Sequence, residues 1–180
     1  MRREATAWLW APMHDGPVGA GGQFDALLLL IGKLNYSWTN TESLLIHVIA
    51  GLSRTDKETA VIIFLTLNTM RARVDLVERL AKLDRTSSAE RDSVLELTRD
   101  ILRLSRLRNH YNHSIYAFDS ESGMARTILM RIADRKHDIK VGQTSDIDAK
   151  ALSEMEAAIH DLGQLNRRFW KVIAAYGYPA

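Results

Sequence analysis

With 180 residues, 46% of them hydrophobic, and a formal net charge of +2, the chain has the length and apolar content of one domain that buries its own core. The absence of cysteine excludes a disulfide framework and thiolate metal sites. The longest apolar runs, Ala26–Ile31 and Ala60–Leu65, fall far short of the roughly 20 residues of a membrane-spanning helix. The small positive charge permits contact with phosphate but not the behaviour of a nucleic-acid coat protein.

Residues 1–21 contain Pro12, Gly16, Pro17, Gly19 and Gly21, a density of punctuation that predicts a flexible arm rather than a regular element. Glu4 and Pro12 bracket too short an apolar stretch for a secretory leader, so a cytoplasmic protein is expected. Residues 22–180 form the folded domain. Leu27, Leu28, Ile31, Leu34, Trp38, Leu45, Val48 and Ile49 recur at three- and four-residue steps and predict one long helix, ended by Gly51 and the polar Ser53–Asp56. Thr55 with Glu58 reads as a capping box opening a second helix through Ile62, Leu67, Met70, Val77 and Leu83. Ser87 with Glu90 repeats the device before a third helix that runs through Val94, Leu97, Ile101 and Leu104 to about Tyr111.

From Ser114 to Gly142 the helical period is lost. Ser114–Phe118 and Arg126–Ile132 read as strands around the turn Asp119–Gly123, with His137–Val141 as an added short run. Helix resumes around Ser145, with Asp148 three residues on, and carries Leu152, Met155, Leu162, Phe169 and Ile173 on one stripe. The expected architecture is all-α, a four-helix bundle with a small β-hairpin or meander between helices three and four.

Two charges interrupt apolar stripes. Arg108 lies seven and four residues after Ile101 and Leu104 and three before Tyr111, and Glu42 lies four after Trp38 and three before Leu45. A charge on a core face is costly unless paired, so these two residues form either a structural pair or a polar groove. Arg106, Asn109, His110 and His113 fall on a different sector of the third helix, at spacings of three, four and seven. On a regular helix Arg108 and His113 are about 140° apart. Their cooperation therefore needs the helix to end near Asn112 or a second chain to complete the site.

The stretch Arg108-Asn109-His110-Tyr111-Asn112-His113, late in a third helix, resembles the HEPN superfamily motif of Arg, a polar residue, and His after four to six intervening positions. Arg103 with His110, Arg106 with His113 and Arg131 with His137 also meet the spacing, but Arg108 has the adjacent Asn109 and the misfit with the apolar stripe. The resemblance implies a metal-independent endoribonuclease acting on RNA as a homodimer with a composite cleft. Such proteins serve in toxin–antitoxin or phage-defence systems, with an antitoxin protein as partner. It assigns catalysis to Arg108, Asn109 and His113. Glu42, His110, Tyr111 and Arg106 are supporting candidates, and Arg126 and Arg131 on the basic hairpin are candidates for binding substrate. His110 and His113 at i, i+3 lack the companion carboxylates of a metal site, so neither metal nor cofactor is expected. The competing reading is a non-catalytic helical module that dimerises or binds a partner protein or a nucleotide.

Overall fold

The computed structural model describes residues 22–118, 125–134, 137 and 139–180. The arm at residues 1–21, the turn at 119–123, and Arg135 and Lys136 lie outside the described residues. In chain order the elements are α1 (Gly22–Glu42), α2 (Leu45–Ser53), α3 (Lys57–Thr66), α4 (Met70–Ala81), α5 (Ser88–Asn112), β1 (Ser114–Phe118), β2 (Ala125–Asp134), β3 (Ile139–Asp146) and α6 (Ala149–Ala175). The fold is mostly helical with one small antiparallel sheet. No helix among the described residues is long and apolar enough to cross a membrane.

The first two long helices expected from the periodicity are each broken in two, so four expected helices become six among the described residues. The break after Glu42 has a local cause. Asn40 and Thr41 side chains donate back to the carbonyls of Tyr36 and Ser37, at 3.0 and 2.8 Å, and Ser43 Oγ donates to Asn40 O at 3.0 Å. Leu44 N and Ile46 N then bond three residues back, to Thr41 O and Ser43 O, which tightens the turn. The break between α3 and α4 falls at Leu67–Thr69, where Thr69 Oγ1 caps α4 by accepting from Ala72 N at 3.1 Å.

Caps explain the remaining boundaries. Ser87 caps α5 as expected, its Oγ accepting from Glu90 N. The cap of α3 is Asp56 rather than Thr55, with Oδ1 accepting from Thr59 N at 2.8 Å. The last helix starts later than Ser145, because β3 continues to Asp146 and Asp148 caps α6 by accepting from Ala151 N. The three strands form a meander in the order β1-β2-β3, and the β2–β3 register shifts between Leu129 and Ile132.

Trp38 and Leu34 of α1, Leu45 and Ile49 of α2, Leu97 and Ile101 of α5, and Met155, Leu162 and Phe169 of α6 share one core. In it α1 packs on α6, α6 on α5, α5 on α4, and α2 on α3 and α4. Gly51 does not end a helix. It lies within α2, and a Cβ built there would stand 2.0 Å from Tyr178 Cδ1. The missing side chain lets the C-terminal Tyr178 ring lie flat on the helix, with its hydroxyl donating to Glu90 at 2.8 Å. Gly51→Ala is accordingly expected to lower stability by about 1–3 kcal/mol through overpacking. Urea melts of Gly51→Ala, Tyr178→Ala and the double variant check this, the double being no worse than Tyr178→Ala alone.

Candidate functional site

The six-residue motif sits at the end of α5, the last regular helical residue being Asn112. His113 is the C-cap, with φ −104° and ψ 13°, and its N–H donates to Asn109 O at 3.1 Å. Its imidazole is exposed, as are Asn109 and Arg106. Cations suit this end of a helix, where the unpaired carbonyls carry partial negative charge.

Arg108 is half-buried and held by neutral groups. Its Nη1 donates to Asn109 Oδ1 at 3.1 Å. With the Asn112 amide turned so that both its ends are satisfied, Asn112 Oδ1 accepts from Arg108 Nε and Nη2, each at 2.9 Å, and the amide nitrogen donates to Asn35 Oδ1 at 2.8 Å. Asn35 is tied in turn to its own helix, donating to Ile31 O at 3.1 Å. The guanidinium carbon lies 5.7 Å from the centre of the Trp38 ring, which supports it from the core side. Thus α1 supports Arg108 directly through Trp38, and through Asn35 by way of Asn112 of α5. Neither Asn35 nor Asn112 was among the candidates. The signal that could have found Asn35 is the one that marked Glu42, a polar residue on the Ile31–Leu34–Trp38 side of α1.

The alternative of an Arg108–Glu42 pair is overturned. Glu42 Oε1 instead takes Arg73 Nη1 of α4 at 2.5 Å, and Oε2 accepts from Trp38 Nε1 at 2.7 Å. Arg73 also donates through Nε to Phe64 O at 3.1 Å and lies 3.9 Å from the centre of the Phe64 ring. Glu42 is therefore a structural carboxylate at the α1–α3–α4 junction, one residue removed from the motif by Trp38. The consequence for Arg108 is that among the described residues it has no carboxylate partner.

The other candidates separate. His110 is half-buried, its ring edge-on to Tyr111 at 5.1 Å between centres. Tyr111 is a core residue, and burial, followed by the nearby carboxylates of Glu154 and Asp148, pushes its phenol up from the ordinary range. Its carbonyl accepts from Tyr116 OH at 2.6 Å, and burial, then Tyr111, raises the Tyr116 phenol to about 12. Both tyrosines are thus poor proton carriers near neutral pH. Arg126 of β2 is committed to Asp146 across the β2–β3 ladder at 2.8 Å, and the Arg131 side chain lies outside what the structure describes. Arg106 has no ion pair among the described residues.

No family model, curated protein or solved structure matches the chain. What the site can do must come from its own chemistry. Three of the five N–H bonds of Arg108 are taken by Asn109 and Asn112, which leaves two for a ligand. The cation is oriented but not neutralised, so the ligand that completes it is an anion. His113 stands one turn further on with its ring free in solvent. Among the described residues no hydrogen bond joins it to Arg108.

Proposed function

We propose that the protein is a metal-independent endoribonuclease of HEPN type that works as a homodimer. The observation that carries this reading is Arg108, a fixed, half-buried guanidinium whose partners are all neutral and which therefore keeps its full charge for a phosphate. The motif residues Asn109 and His113 are exposed beside it at the helix end.

Cleavage of RNA by its own ribose moves two protons. A base takes the proton of the 2′-hydroxyl, the 2′-oxygen attacks the adjacent phosphorus, and the 5′-oxygen leaves with a proton from an acid. Negative charge grows on the non-bridging oxygens, and Arg108 stands as the fork that stabilises it. His113 is the motif's exposed imidazole, whereas His110 rests against Tyr111. His113 serves as one of the two proton carriers, acid or base, and water as the other. In a dimer whose two motifs share one cleft, the guanidinium of one copy faces the imidazole of the other.

The test is cleavage of end-labelled RNA in EDTA, with the product ends analysed. Fragments ending in 2′,3′-cyclic phosphate and beginning with 5′-hydroxyl are expected. Intact RNA across a varied set of substrates would overturn the proposal.

A further inference from the structure

A concavity lies on the far side of α1 from the motif, between α1, α2 and α6. Its volume is about 530 Å³, within the range that accommodates a small organic ligand. Tyr36 and Trp38 are about 160° apart on the helix. Trp38 supports Arg108, and Tyr36 therefore opens onto the other side.

The walls of this groove are aromatic. Tyr36 is 73% exposed and Trp170 44%, unusual for residues of this size, and Trp170 leans on His47 with ring centres 5.3 Å apart. His47 is buried to 8% exposure, and its Nδ1 lies 2.6 Å from Pro179 O. A carbonyl only accepts, so Nδ1 carries the proton and Nε2 of the neutral ring is an acceptor. Nε2 has no partner among the described residues, and none of their partnerless side-chain nitrogens or oxygens is sealed from the surface, so Nε2 opens to the groove that His47 lines.

Two amides add to this. Asn40 donates its NH₂ to Tyr36 O, and Asn166 donates to Asn40 O and Thr41 Oγ1, which leaves the Oδ1 of each as an acceptor. Arg167 lines the groove without an ion pair among the described residues, and no carboxylate is among the lining side chains. Gly163 keeps the groove wall low, since a Cβ there would meet only Arg167 Nη1 at 3.7 Å.

We infer that this groove binds a nucleoside phosphate, its base stacked on Trp170 and Tyr36, its N–H edge read by His47 Nε2 and the two asparagine oxygens, and its phosphate held by Arg167. A planar ligand that donates hydrogen bonds and carries negative charge matches the two aromatic rings, the three acceptors and Arg167. An apolar ligand would strand the three acceptors, and a carboxylate-free rim with an unpaired Arg disfavours a cation. The nucleotide is either free or one unit of an RNA strand. The inference rests on the groove alone and stands whether or not the motif at the end of α5 cuts RNA.

Titration calorimetry on the full chain carrying Arg108→Ala, which removes the phosphate contact at the end of α5, tests it, with GMP and a ten-residue 2′-O-methyl oligonucleotide of alternating guanosine and uridine as probes. GMP binding no weaker than the oligonucleotide assigns a free nucleotide, and tighter oligonucleotide binding assigns an RNA strand. Trp170→Ala is expected to weaken binding of whichever probe binds by roughly five- to a hundredfold, the range for one base stacked on an aromatic ring. Arg167→Ala lowers affinity and flattens its salt dependence. Gly163→Leu fills the groove and abolishes binding without lowering the melting temperature. Failure of both probes to bind the Arg108→Ala chain, or binding that survives Trp170→Ala, Arg167→Ala and Gly163→Leu alike in that background, overturns the inference.

Discussion

RNA incubated with the His113→Ala protein in EDTA is expected to be cut at least about a hundredfold more slowly than with the wild type, the lower bound for loss of a positioned proton carrier. The side chain is exposed at the end of α5 and its backbone N–H, not its ring, closes the helix, so folding should be unaffected. Arg108→Lys is expected to be nearly as damaging. Lysine keeps the charge, but a single ammonium cannot accept the double hold of Asn112 Oδ1 on Nε and Nη2 while presenting two further N–H bonds to phosphate. The loss should fall mainly on kcat, because the charge that Arg108 meets grows in the transition state. An effect confined to KM would assign Arg108 to ground-state binding only. Circular dichroism melts of both variants separate chemistry from folding.

The largest effect on stability is expected from Glu42→Ala. The Arg73 and Glu42 side chains are each only 16% exposed, and removing the carboxylate leaves Arg73 with a buried charge and Trp38 Nε1 without its acceptor. Breaking one side of such a pair costs about 3–5 kcal/mol, against a total stability of about 5–15 kcal/mol for an ordinary domain. Glu42→Gln keeps an amide oxygen for one of the two donors and should cost clearly less. Urea denaturation measures both, and the Arg73→Met, Glu42→Leu double variant supplies the decisive comparison. If the junction fails because a charge is stranded, the double apolar variant recovers most of the stability; if it fails because packing is lost, the double is no better. Because Trp38 also supports Arg108, Glu42→Ala should lower RNA cleavage as well, though Glu42 touches no substrate.

Helical periodicity located the core and the motif but not the helix breaks. The breaks after Glu42 and before Met70 arise from Asn40, Thr41, Ser43 and Thr69 bonding to nearby backbone, and since Asn40 and Thr69 are exposed, off the apolar stripe, they leave its period undisturbed. The caps at Ser87 and Asp148 follow directly from residue type, whereas Thr55 lost to its neighbour Asp56, whose carboxylate accepts from Thr59 N and starts the helix one residue later. At the site, the misfit of Arg108 and Glu42 with their stripes was legible, and so was the end of α5 near Asn112. Their partners were not. Two misfit charges on facing helices invite the simplest pairing, yet Glu42 chose Arg73, which lies 31 positions on in α4 and is unremarkable in the sequence. Asn35 and Asn112 escaped notice because an amide on a helix face acquires meaning only when a second helix brings it a guanidinium. The groove around Trp170 was hidden for a related reason. Its aromatic and amide groups come from α1, α2 and α6, and Trp170 on a helical stripe reads as core until its exposure is known.

The central claim is that Arg108 of one copy works with His113 of another. Mixing the Arg108→Ala and His113→Ala proteins, after brief dissociation and reassembly, tests it most directly. Half of the dimers would then pair the intact Arg108 of one chain with the intact His113 of the other, and RNA cleavage in EDTA should return to a substantial fraction of the wild-type rate. A mixture as inactive as either parent, under conditions where the wild type recovers its activity after the same treatment, would contradict it.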